Sequence, residues 1–201
     1  MTTAVATPPP TPAKARATTA DLLALPDDGV ERWLIDGEIV EVGMTRRNKH
    51  HSRVEARVCH LVGAWMETQP EPRGSAHSGE AGVRLRRDPE ATVGIDLVYL
   101  APALSARAMA DTETTIIDGV PTLAVEILSP SDTVENLRWK IDLYREVGVP
   151  QVWVLDPHYH TVTVYRPTGE PVMLNATQEL DGGAELPGFR VPVARVFALP
   201  T

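Results

Sequence analysis

Glu126 stands in the middle of TLAVEIL, an otherwise apolar run, and Asp96 has the same character in VGIDLVYL. An ionised carboxylate among such neighbours costs several kcal/mol unless an ion pair, a proton or a bound cation compensates it. Beyond Glu126, Lys140 falls near the apolar face of the next predicted helix. Each helical residue turns about 100°, so counting from Val134 the stripe of Leu137, Ile141, Tyr144 and Val147 centres near about 300° and Lys140 lies at about 240°. Lys140 therefore leans inward, unlike Arg138 and Arg145. Two carboxylates on successive strands and one inward lysine are the chemical kit of a metal-dependent nuclease. Hard cations such as Mg²⁺ take oxygen ligands, often one or two carboxylates completed by water and substrate phosphate. A nearby ammonium then orients the attacking water or stabilises charge on the phosphate. Plainer accounts stand beside this one: a structural ion pair for Glu126, a strand end or an arginine partner for Asp96, and snorkelling for Lys140.

The elements that position these residues follow from pattern. Thr18-Thr19-Ala20-Asp21 opens a short helix over Leu22, Leu23 and Leu25 that Pro26 ends. WLIDGEIVEV carries Asp36-Gly37 between two apolar runs, a strong hairpin signal because both turn residues must accept positive φ. Val54, Val58, Leu61, Val62 and Trp65 recur at helical spacing over 50–67. PEPRGSAHSG reads as a loop, AGVRLRRD and VGIDLVYL as strands, and 101–120 as irregular chain. TLAVEIL is a central strand covered on both faces. Ser129-Pro130-Ser131-Asp132 breaks it and offers a cap to a helix over 133–147, which places Val134, Leu137, Ile141, Tyr144 and Val147 on one stripe and stops at Gly148. QVWVLD and TVTVYR form a strand pair across DPHYH, and the apolar tail LPGFRVPVARVFALP packs back on the domain. A strand joined through a helix to the next strand implies a parallel pair, whereas the hairpins are antiparallel. The expected fold class is α/β, a mixed β-sheet flanked by helices with an N-terminal hairpin.

Bulk properties bound the function. The 201 residues suit one domain, with 43% hydrophobic and 23% charged residues. Residues 1–17, rich in Pro, Thr and Ala, read as a disordered tail, leaving 18–201 as the single domain. No apolar run approaches the roughly 20 residues that span a bilayer. The N-terminus also lacks the continuous apolar core of a secretory signal, so the expected location is cytoplasmic. The single cysteine, Cys59, excludes an internal disulfide and reads as a small buried hydrophobe. A net charge of −8 argues mildly against a surface that grips nucleic acid everywhere. Two local basic clusters, Arg46, Arg47, Lys49, Arg53 and Arg57, then Arg84, Arg86 and Arg87, are either nucleic-acid contacts or solvated faces. His158 and His160 sit in an expected exposed turn without further ligands nearby. His50-His51 touches phosphate or simply starts a helix in solvent. There is no Walker loop and no nucleophile elbow, so NTPase and esterase readings lack their parts.

At the same residues the chain resembles the Uma-type restriction endonuclease-like family, within the PD-(D/E)XK nuclease superfamily. The resemblance covers DLLALPDDG, LIDGEIVE, VGIDLVYL, LAVEILSPSDTVENLRWKIDLYREVGVPQVWVLDP, TVTVYRP and LPGF, nearly everything after the tail. It implies a restriction-endonuclease-like core and hydrolysis of DNA phosphodiester bonds with Mg²⁺, Mn²⁺ being the substitute. It implies Asp96 and Glu126 as metal-binding acids, the main-chain carbonyl of Ile127 as an added ligand, and Lys140 as the catalytic lysine. The superfamily's usual lysine position is Leu128 here, and Lys140 on the following helix matches this family's displaced lysine. Ile95 replaces the usual proline before Asp96, and Trp33 stands where members often carry glutamate. The alternative function is a catalytically inactive nuclease-fold module for binding or assembly. The strand edges and the apolar tail also permit a homodimer whose partner completes the groove.

Overall fold

The computed structural model describes residues 16–26, 28–42, 48–130 and 132–198. Its first elements are α1 (Thr19–Leu23), β1 (Glu31–Ile35), β2 (Glu38–Val42) and α2 (Lys49–Glu67). Thr18 and Asp21 cap α1 reciprocally. Asp36 and Gly37, with φ of 50° and 81°, make the tight β1–β2 turn that their sequence announces. Arg16 and Ala17, at the end of the expected tail, are already placed: the Ala17 N–H donates to the Gly37 carbonyl at 2.8 Å. The rest of that tail, together with Arg46, Arg47 and Ser131, lies outside the described residues.

The middle of the chain supplies β3 (Ser75–Arg87), β4 (Glu90–Leu100), α3 (Pro102–Ala110), β5 (Ile117–Asp118), β6 (Leu123–Ile127) and α4 (Val134–Glu146). Four expectations need correction. The loop expected through residue 79 is a strand from Ser75 onward, broken by a register shift between Ser78 and Ala81 where Gly79 and Glu80 both adopt positive φ. This bulge interrupts the period-2 alternation by which a strand is read. The irregular stretch 101–120 contains α3 and β5. Pro102 occupies the first turn of α3, where its missing N–H costs nothing, and alanines fill the helix. The cap of α4 is Thr133, whose hydroxyl accepts the Asn136 N–H at 3.1 Å, while Asp132 closes its own turn onto Ser129. Val134 is 85% exposed, so the buried face of α4 consists of Lys140, Ile141, Leu143 and Tyr144.

The last part of the chain provides β7 (Gln151–Asp156), β8 (Thr161–Tyr165), β9 (Val172–Leu174), β10 (Glu179–Asp181), β11 (Arg190–Pro192) and α5 (Val193–Phe197). The main sheet runs β2-β1-β4-β6-β7-β8-β9, with β3 on β4 and β5 on β3. It is mixed as expected: β6 and β7 are parallel, joined through α4, and the pairs around them are antiparallel. Alternation along the strands divides the interior. Leu97, Tyr99, Leu123, Val125 and Ile127 pack with α2, α5 and Phe189 on one face. Val98, Leu100, Ala124 and Val152 pack with Leu143 and Tyr144 of α4 on the other. Each fully buried large apolar side chain is worth about 1.5–3 kcal/mol over its exposed state, and that term holds both layers. Among the described residues, no helix is long and apolar enough to cross a membrane.

Candidate active site

The site sits where the sheet forks. Along one edge β4 pairs with β3 over most of its length. Its other edge is shared: Thr92 pairs with Leu34 of β1, and Leu97 to Tyr99 pair with Val125 to Leu123 of β6. Residues 93–96 lie between, where β1 and β6 part. Asp96 and Glu126 each lie one residue beyond the last β4–β6 pair, Leu97 with Val125. Both are buried, at 3% and 7% exposure.

Lys140 comes down from α4, one helical turn before Tyr144, and is 5% exposed. Its ammonium donates to Glu126 Oε2 at 3.0 Å and to the Gly94 carbonyl at 2.8 Å, and lies 4.4 Å from the centroid of the Trp33 ring. The Tyr144 hydroxyl donates to Glu126 Oε1 at 2.5 Å. Glu126 is thus gripped at both oxygens by α4. Asp96 is gripped by the opposite layer and the strand beside it. The Ile127 N–H donates to Asp96 Oδ2 at 2.7 Å, and His51 Nε2 lies 3.1 Å from Oδ1. In extended backbone a residue's N–H and carbonyl point to the same side, so the Ile127 carbonyl also faces the fork. Gly94 admits the Glu80 carboxylate, which a Cβ at that position would strike.

Electrostatics separate the two acids. Burial pushes the Glu126 carboxyl up to about 7, with the Lys140 ammonium pulling it down and the charge of Asp96 pushing it further up. Burial alone would raise Asp96 too, but the His51 ring, the Ile127 N–H and Lys140 outweigh it and hold Asp96 below the usual carboxylate range. Burial and the adjacent Glu126 push the Tyr144 hydroxyl well up, so it stays a donor. The raised Glu126 value has a stability consequence in the metal-free protein. The native state binds the extra proton between about pH 4.5 and 7, so this stabilising contribution is full below pH 4.5 and lost as pH rises through 7. The Glu126→Gln variant should therefore gain about 3 kcal/mol on its parent between pH 4.5 and 8. Urea unfolding in EDTA at both pH values measures this, and parallel stability curves would contradict a perturbed Glu126.

The residues fit a hard cation. Asp96, Glu126 and the Ile127 carbonyl are all oxygen donors, and two buried carboxylates exceed the positive charge that Lys140 supplies. Among the described residues no three His, Cys, Asp or Glu side chains form a ready cage. Two carboxylates and a main-chain carbonyl suit an ion such as Mg²⁺, which usually keeps several waters and shares one or two carboxylates with substrate phosphate.

The described arginines of the two basic clusters make contacts within the protein. Arg53 donates to the Phe197 and Ala198 carbonyls at 2.7 and 3.0 Å, and Arg57 to the Arg195 carbonyl at 3.1 Å, so together they tie α2 to the end of α5. Arg84 and Arg87 both pair with Asp118, and Arg86 pairs with Asp36 and Glu146. His160 stacks on Phe197, and His158 packs edge-on against Tyr159, away from the acids. Cys59 is half-buried in α2, and burial pushes its thiol up. Ile95 is fully buried within β4, where the usual proline would stand. Three site neighbours have roles other than those the sequence suggests. His51 extends the stripe of Val54, Val58, Leu61, Val62 and Trp65 one turn towards the start of α2, which was its available signal. Tyr144 lies one turn beyond Lys140 on the same face, and Trp33 supplies the aromatic wall.

Residues 19–194 match the family model described as "Uma2: Putative restriction endonuclease". No curated protein matches the chain. A crystal structure described as a putative nuclease belonging to DUF820 from Anabaena variabilis ATCC 29413 superposes with a TM-score of 0.75. That likeness has 19% sequence identity and covers 90% of this chain and 97% of the other, so it speaks to the fold alone.

Proposed function

Because the chain belongs to the Uma2 family of restriction endonuclease-like proteins, we propose that it is a Mg²⁺-dependent nuclease hydrolysing phosphodiester bonds of DNA in the cytoplasm. The observation that carries this reading is the pair of buried carboxylates on neighbouring strands, one of them bonded to Lys140 at 3.0 Å. Asp96, Glu126 and the Ile127 carbonyl would hold the cation. Bound there, Mg²⁺ would draw charge from the scissile phosphate and acidify a water.

This chain's own residues supply the rest. Lys140 donates to Glu126 and Gly94, and its remaining N–H would serve the attacking water or the phosphate oxygens. A donor fixed before the reaction needs no reorganisation when charge develops, and this is where electrostatic stabilisation is largest. Tyr144 holds Glu126 in one rotamer, and Ile127 and His51 do the same for Asp96. Ionised Asp96 beside a readily protonated Glu126 gives two carboxylates different proton affinities, the pattern from which acid and base roles are drawn.

The test is a panel of single- and double-stranded DNA and RNA incubated with Mg²⁺, Mn²⁺ or EDTA, alongside calorimetric titration of the metal. Cleavage of DNA with either cation and none with EDTA is expected. A protein that takes up no divalent cation and cuts nothing in the panel is instead a non-catalytic module on a nuclease fold.

A further inference from the structure

A histidine in a buried helix stripe is an unusual choice. Leucine or valine would fill the same space without an imidazole to satisfy, and the neighbouring stripe residues Val54 and Val58 do so. His51 is 4% exposed, and Asn48 caps the helix start by accepting the His50 and His51 N–H groups at 2.9 and 3.0 Å. That cap fixes where the ring emerges. Nε2 lies 3.1 Å from Asp96 Oδ1, within hydrogen-bond reach of the carboxylate. On the ring's other side Nδ1 lies 3.8 Å from Glu55 Oε2, while Glu55 Oε1 accepts the Gly79 N–H from the β3 bulge at 2.8 Å.

We propose that His51 is a positioning residue for Asp96, clamping Oδ1 while the Ile127 N–H clamps Oδ2, so that the carboxylate meets a divalent cation in one orientation. Nδ1 itself is buried and makes no hydrogen bond among the described residues, so the ring is held by the helix cap and by Asp96. This rests on the nuclease reading of Asp96 and Glu126, and it identifies a residue that tunes cation affinity without touching the substrate. Groups that hold a ligating side chain typically change metal affinity 10–100-fold when removed.

The test compares the parent protein with His51→Leu and His51→Gln by calorimetric Mn²⁺ titration, metal-free thermal melting, and DNA cleavage across a Mn²⁺ series at fixed pH. His51→Leu is expected to bind Mn²⁺ about 10–100-fold more weakly and to regain most of its cleavage rate at saturating Mn²⁺. His51→Gln retains an amide donor and should lie between the two. A purely structural His51 would lower the melting temperature while leaving the Mn²⁺ dissociation constant within twofold, and that result overturns the assignment. If His51→Leu does not fold, His51→Gln binding Mn²⁺ as tightly as the parent overturns it equally. A parent protein that takes up no Mn²⁺ defeats the nuclease reading itself and His51 positioning with it.

Discussion

Replacing Asp96 with asparagine is expected to reduce Mg²⁺-dependent DNA cleavage by at least about 10³-fold while leaving the fold intact. The two side chains have nearly the same shape, and the asparagine carbonyl can still accept the Ile127 N–H that Asp96 Oδ2 accepts at 2.7 Å. What disappears is the charge. The His51 ring, the Ile127 N–H and Lys140 outweigh burial and hold the Asp96 carboxyl below the usual carboxylate range, so Asp96 ionises more readily than Glu126. Glu126→Gln should cut activity comparably, because the cation then keeps a single carboxylate. The measurement is cleavage of a labelled duplex with Mg²⁺, together with circular dichroism and calorimetric titration of each variant. Asp96→Asn that cuts at the parent's rate would remove the carboxylate pair from the mechanism. Asp96→Asn that loses cation binding but retains its melting curve is the result the proposed function predicts.

The acids were legible because an isolated charge inside an apolar strand violates the local pattern, and such violations tend to mark function. Lys140 was legible by helical phase, and the hairpin at Asp36-Gly37 by its turn chemistry. The fork was not. It depends on β1 and β6 sharing one edge of β4, a long-range pairing that no local window encodes. His51 was hidden for a related reason: its partner lies on a distant strand, and a histidine near a helix start looks solvated until that strand is beside it. Tyr144 was read as apolar bulk, and only the position of Glu126 shows that its hydroxyl has a use. The first half of β3 was lost to its bulge at Gly79 and Glu80. The same limit applied to the basic residues. Arg53 and Arg57 look like a phosphate-binding flank in sequence, and only the docked α5 shows that they hold its terminal carbonyls.

Lys140→Met should lower both activity and stability, with a pH dependence that identifies the cause. The ammonium bonds Glu126 and Gly94 and sits over Trp33, so truncation leaves Glu126 buried beside Asp96 without that cation. Removing one member of a buried ion pair typically costs about 3–5 kcal/mol. The cost depends on Glu126 being ionised. The Lys140 charge pulls the Glu126 carboxyl down, so without it Glu126 stays protonated to a pH above 7. Metal-free Lys140→Met should therefore be much less destabilised at pH 5, where Glu126 is protonated with or without the lysine, than at pH 8. Adding Glu126→Gln should return most of the stability at pH 8, a coupling that a double-mutant cycle in urea measures directly. Cleavage should not return with it, since the double variant has lost both the fixed donor and a cation ligand. Equal destabilisation at pH 5 and pH 8, or additive effects in the cycle, would mean that Lys140 holds the fold through Gly94 and Trp33 rather than through the carboxylate it faces.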